Sequence, residues 1–187
     1  MIQQFRILSF VSVFALAAAV AVPAMADEKP GAQGSVILTV AGKVGNWNRG
    51  AMTPARDNLL NQHKIAFEKA MAFDATMLGG LPAQELRLTT PAGDGTFSGP
   101  SLSDVLKASG AEGVGVRLVS LDGTSVDLSP SDIKEHNWML ALLVDGKPVG
   151  IGDFGPLWLL HKPASGVTPS KEELQRWGWS VFYIEAR

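Results

Sequence analysis

The chain has 187 residues, no cysteine and a formal net charge of −2. Without a thiol, disulfides, thiol nucleophiles and thiolate metal ligation are all excluded. A faintly acidic chain with no Lys/Arg cluster also argues against nucleic acid or anionic lipid as a partner.

At the N-terminus, Met1 to Arg6 carries one Arg and no acid, and Ile7 to Val22 is an apolar run broken only by Ser9 and Ser12. Pro23-Ala24-Met25-Ala26 then places small residues at the two positions of an Ala-x-Ala cleavage signal. This pattern predicts a secretory signal peptide over residues 1–26, cleaved after Ala26, and so a periplasmic location in a Gram-negative host. A retained membrane anchor is the alternative, for which the run falls slightly short of the roughly 20 residues needed to span. Asp27 to Gly34 reads as a flexible lead-in and residues 35–187 as a single domain, long enough for a core held by packing alone.

Ser35 to Gly42 is β-branched and apolar, which predicts a first strand. Asn46 to Gly50 reads as a loop. Thr53 as N-cap with Pro54 behind it predicts a helix to about Gln62. Phe67 to Phe73 reads as a strand, after which Asp74 caps a short helix ended by Gly79-Gly80. Glu85 to Thr90 alternates with period two and stops at Pro91, a half-buried strand. Ala92 to Gly95 reads as a turn.

Ser101 to Gly110 is a short amphipathic helix with Gly110 just past its end. Val116 to Leu121 and Thr124 to Leu128 flank Asp122-Gly123, a strong hairpin signal. Ser129-Pro130 starts a helical turn. Met139 to Val144 reads as one continuous buried strand, followed by a tight turn at Asp145-Gly146. Leu157 to Leu160 is another strand, Thr168 to Leu174 a capped helix start, and Trp179 to Ile184 the closing strand. Short strands separated by single helical turns predict an α+β domain with mixed or antiparallel sheet.

Few residues point to chemistry. There is no Gly-x-Ser-x-Gly elbow and no Gly-rich phosphate loop. His63, His136 and His161 match no metal-ligand spacing and could share a metal only if folding gathered them. Tryptophan stands out instead: Trp138, Trp158, Trp177 and Trp179 crowd the C-terminal half near turns and strand ends. Each can serve core packing, and an exposed indole face can also stack on a flat heterocycle.

Four blocks, in order, resemble the molybdopterin-binding domain of the sulfite oxidase family. They are Leu38-Thr39-Val40-Ala41-Gly42, Thr96 to Leu106, Ala141 to Pro148 and Gly155 to Pro163. The resemblance implies the sulfite oxidase-like fold and departs where the family does its chemistry. In that family a metal-ligating cysteine follows the strand matched by Glu85–Thr90, where this chain has Thr89-Thr90-Pro91. Trp158 and Trp179 stand where the family carries cationic residues for the phosphate end of its cofactor.

Cysteine-less exported relatives of this kind resemble pterin-binding signalling proteins of the PruR type. That likeness implies a reduced, non-phosphorylated pterin as ligand, no catalytic cofactor and no molybdenum. It also implies a partner in the periplasmic domain of an inner-membrane protein that makes or degrades cyclic diguanylate, and hence a part in biofilm regulation. The binding residues it suggests are Thr90, Trp158, Arg176, Trp177 and Trp179, with Asp153, His136 and Asn137 as polar neighbours of the same turns. Two other readings stand beside this non-enzymatic one. One is a molybdopterin-dependent oxidoreductase, and the other is an interaction module whose cleft takes a peptide or protein.

Overall fold

A computed structural model of the protein describes residues 27–187, so the predicted signal segment lies outside the described residues. The first stretch holds β1 (Asp27–Glu28), β2 (Val36–Gly42), β3 (Asn46–Trp47), α1 (Asn58–Gln62), β4 (Ala70–Asp74) and α2 (Ala75–Gly79). The middle holds β5 (Ala83–Thr90), β6 (Gly93–Pro100), α3 (Leu102–Ala108), β7 (Val116–Ser120), β8 (Ser125–Leu128) and α4 (Pro130–His136). The last part holds β9 (Met139–Ala141), β10 (Leu143–Val144), β11 (Lys147–Pro148), β12 (Trp158–Leu160), α5 (Lys171–Arg176) and β13 (Val181–Ala186).

Two larger sheets organise the chain. One runs β4-β2-β13-β7-β8, mixed because β13 lies parallel to β2 while the other pairs are antiparallel. The other runs β11-β10-β6-β5 and is antiparallel throughout. β12 pairs with β9, and β1 with β3. The architecture is therefore the α+β type that the alternation of short strands and helical turns implied.

β2 is buried from Leu38 to Ala41 because both faces of its sheet are covered. Leu38 and Val40 join the main core with α3 and with Leu140 and Leu159, while Ala41 faces a smaller cluster with Leu60, Ala70 and Phe182. Each fully buried aliphatic side chain of this kind contributes roughly 1.5–3 kcal/mol.

Helix boundaries follow the capping residues. Asp74 accepts from Met77 N at 2.8 Å and Ser101 from Asp104 N at 2.9 Å. Ser129 and Ser170 form reciprocal capping boxes with Asp132 and Glu173. The helix expected from Thr53 instead begins at Asn58. The Asp57 carboxylate is drawn back to Thr53 N at 2.7 Å and to Arg49, closing a separate turn around Pro54.

Three stretches depart from the expected strands. Gly93 to Pro100, expected as a turn and the approach to a helix, is the long strand β6, joined to β5 by the two residues Pro91 and Ala92. Gly99 serves packing: a Cβ there would sit 2.1 Å from Leu140 O, where β6 crosses β9. The apolar run from Met139 is two strands, split at Leu142, because β9 pairs with β12 and β10 with β6 and β11. Asn46-Trp47, expected as loop, pairs with β1. The lead-in is tied to the body, with Gln33 N and Gly34 N donating to Asp74 Oδ2 at 2.9 and 2.7 Å.

Candidate ligand site

β6, the β10–β11 hairpin and the loop from Val149 to Pro156 enclose a cavity of about 310 Å³. That volume is at the lower end of small-molecule sites. Thr90 closes it where β5 turns into β6, and Phe97, Val144, Phe154 and Trp158 give it an apolar wall. Asp94, Lys147 and Asp153 supply the charged groups of its lining.

Each wall residue is held by local structure. Thr90 Oγ1 donates to Gly93 O at 3.0 Å and accepts from Ala92 N at 3.2 Å, so its hydroxyl locks the hairpin turn. Asp145 Oδ1 accepts from Thr96 N at 2.9 Å, fixing the β10–β11 hairpin against β6. The loop is pinned at two points, Val149 N to Leu142 O and Ser180 N to Phe154 O, and is closed on itself by Gly155 N to Gly150 O. Trp158 is 3% exposed on β12, with Phe97 edge-on at 5.2 Å. Its Nε1–H is buried without a hydrogen-bond partner.

A second cluster backs this wall. The ring of Trp177 meets that of Trp158 at 6.1 Å, nearly perpendicular, and lies 6.2 Å from the ring of His161. His161 is 3% exposed, 4.4 Å from Trp138 and 5.1 Å from His136. Burial pushes the His161 imidazole below its ordinary pKa. Its Nδ1 lies 2.9 Å from Lys162 O. Arg176 is ion-paired to Asp132 and lies over the Trp138 ring at 5.5 Å, joining α5 to α4.

The residues suggested from sequence therefore separate into groups. Thr90, Asp153 and Trp158 line one cavity. Arg176, Trp177 and His136 belong to the backing cluster. Asn137 exchanges side-chain hydrogen bonds with Gln84 at the mouth of β5, and Trp179 Nε1 donates to Asp122 Oδ2 at 3.2 Å beside the β7–β8 turn. Neither of these two lines the Trp158 cavity. His63 packs on Phe182, away from the other two histidines, and no group of three or more potential metal ligands occurs among the described residues. Phe97, Val144 and Phe154 carry no sequence signal of a site, because the pairing of β6 with β10 brings the first two together and the fold of the Val149–Pro156 loop brings Phe154 onto Trp158.

No protein-family model and no curated protein matches the sequence. Among solved structures, the chain is similar to the sulfane dehydrogenase SoxCD from Paracoccus pantotrophus, with a TM-score of 0.51 and 14% identity. The fold is sulfite oxidase-like. The match covers 90% of this chain and 40% of that one, so the chain spans well under half of its structural neighbour. At this identity the likeness concerns the fold alone.

Proposed function

We propose that this chain is a non-enzymatic binding protein for a reduced, non-phosphorylated pterin, acting in the periplasm and regulating an inner-membrane partner that makes or degrades cyclic diguanylate. One observation supports the ligand: the Trp158 cavity joins a flat aromatic wall to two carboxylates, Asp94 and Asp153. A pterin ring is flat, and its amino-pyrimidinone edge presents adjacent donors that a carboxylate accepts. Compartment and partner rest on the N-terminal signal pattern and on the resemblance to pterin-binding signalling proteins.

The second reading, a molybdopterin-dependent oxidoreductase, draws on the fold it shares with a dehydrogenase structure. The residues present do not fit that cofactor. No thiolate exists in the chain; where the family's metal ligand follows its strand this chain has Thr89-Thr90-Pro91, and the Thr90 hydroxyl is spent on its own turn. The cavity lining carries two carboxylates against one ammonium, which disfavours a phosphorylated ligand.

Titration of the purified protein with dihydrobiopterin tests the proposal. Saturable binding is expected, weakened by about 1.5–3 kcal/mol in Asp153→Asn, the usual worth of a hydrogen bond to a charged group. Asp153 is exposed, so this variant keeps the fold. Absence of saturable binding by folded wild-type protein would remove the pterin reading.

A further inference from the structure

A separate cavity of about 260 Å³ opens on the β2 and β13 side of the mixed sheet. Its apolar lining includes Ile37, Leu60, Leu121 and Phe182, and α1 and the tip of the Val149–Pro156 loop frame it. Three of the five large apolar side chains that the described residues leave exposed sit in this lining: Val36 at 45%, Leu59 at 44% and Ile151 at 79%. Exposed apolar groups gathered around a concavity mark a binding surface, whereas scattered ones do not.

Charge defines what would bind there. Arg49, Arg56 and Asp57 also line the cavity. Both oxygens of Asp57 are already engaged, Oδ1 by Arg49 and Oδ2 by Thr53 N at 2.7 Å. Arg49 is further placed over the Phe67 ring at 5.1 Å. Arg56 feels the Asp57 charge at a distance but makes no ion pair among the described residues, so one guanidinium at the edge of an apolar cleft has its donors open to an anion.

We propose that this cleft is a binding site for an amphipathic monoanion, an alkyl body ending in a carboxylate, with the chain among Ile37, Leu60 and Phe182 and the carboxylate on Arg56. A planar guanidinium is the side chain best shaped for a carboxylate, and an apolar body gains affinity with each methylene buried. The site is separate from the Trp158 cavity, and its failure would leave the pterin reading untouched.

Decanoate, octanoate and decanol, titrated calorimetrically into the purified protein, form the test. Decanoate should bind saturably with one site per chain, and octanoate roughly tenfold more weakly for two fewer buried methylenes. Arg56→Gln, a change at an exposed side chain, should weaken decanoate roughly fivefold and leave decanol unchanged. Ile151→Ser should weaken both decanoate and decanol. The proposal is overturned by the absence of saturable decanoate binding to folded protein, by an unaltered decanoate affinity in Arg56→Gln, or by unaltered affinities in Ile151→Ser.

Discussion

The ring of Phe154 lies on that of Trp158, with centroids 4.2 Å apart and planes 12° from parallel. Phe154 belongs to the pinned loop from Val149 to Pro156, and Trp158 to β12, so the stack fastens a loop to a core strand. It also covers part of the indole face at the cavity wall. Phe154→Ala should cost about 1–2 kcal/mol, the stacking contribution plus partial loss of buried area. Because Trp158 becomes wetter, its emission should shift to the red and quench more readily with acrylamide. Unchanged emission would show that Phe154 does not shield Trp158.

Thr90 has a structural duty whatever the cavity holds. Its hydroxyl both donates and accepts within the Thr90–Gly93 turn, so Thr90→Ala should lower stability by about 1–2 kcal/mol. Thr90→Ser should keep both bonds and most of the stability. Urea denaturation of the two variants distinguishes this from a side chain that matters only to a ligand, for which neither would shift the midpoint.

Much of the fold is legible from local signals. Asp74, Ser101, Ser129 and Ser170 each announce a helix by capping chemistry, and each caps one. The Asp122-Gly123 hairpin forms as the pair predicts. Where local signals fail, tertiary contacts decide. β6 carries Gly93, Gly95 and Gly99, which lower strand propensity, but Gly95 and Gly99 allow close approach to Val144 and to the Leu140 backbone, and Gly93 takes a positive φ at the turn. The break at Leu142 has no local mark because it arises where one apolar run serves two sheets. Thr90 and Trp158 can be named from motif blocks, whereas Phe154 cannot, since nothing in its sequence neighbourhood says which ring it will meet.

Trp179 illustrates the same limit. Sequence position groups it with Trp158, but it is 44% exposed and bonded to Asp122, outside the cavity lining. Trp179→Ala should therefore leave dihydrobiopterin affinity unchanged and cost at most about 1 kcal/mol in stability. A loss of affinity comparable to one base–aromatic stack, about 1–3 kcal/mol, would move the ligand to the β7–β8 turn.

His161 should make stability depend on pH. Burial is the main cause of its lowered pKa, opposed by the Lys162 carbonyl, with His136 and Arg176 lowering it further and Glu173 raising it. An unfolded imidazole gains its proton near 6.5, and the buried one only at lower pH. The unfolded state therefore binds more protons in that window. The stability contribution is full above 6.5 and is lost as pH falls from there through the folded value. His161→Gln should flatten this part of the profile, measured as urea midpoints between about pH 7.5 and about pH 5.5. An identical slope in both proteins would place the titration elsewhere.

The most direct test of the central claim is the small-molecule content of protein exported with its own N-terminal segment and purified natively. Mass spectrometry and fluorescence would identify any released pterin, alongside elemental analysis for molybdenum. A non-phosphorylated pterin without molybdenum is the predicted result. Stoichiometric molybdenum, or protein that carries no pterin and takes up none on titration, would contradict it.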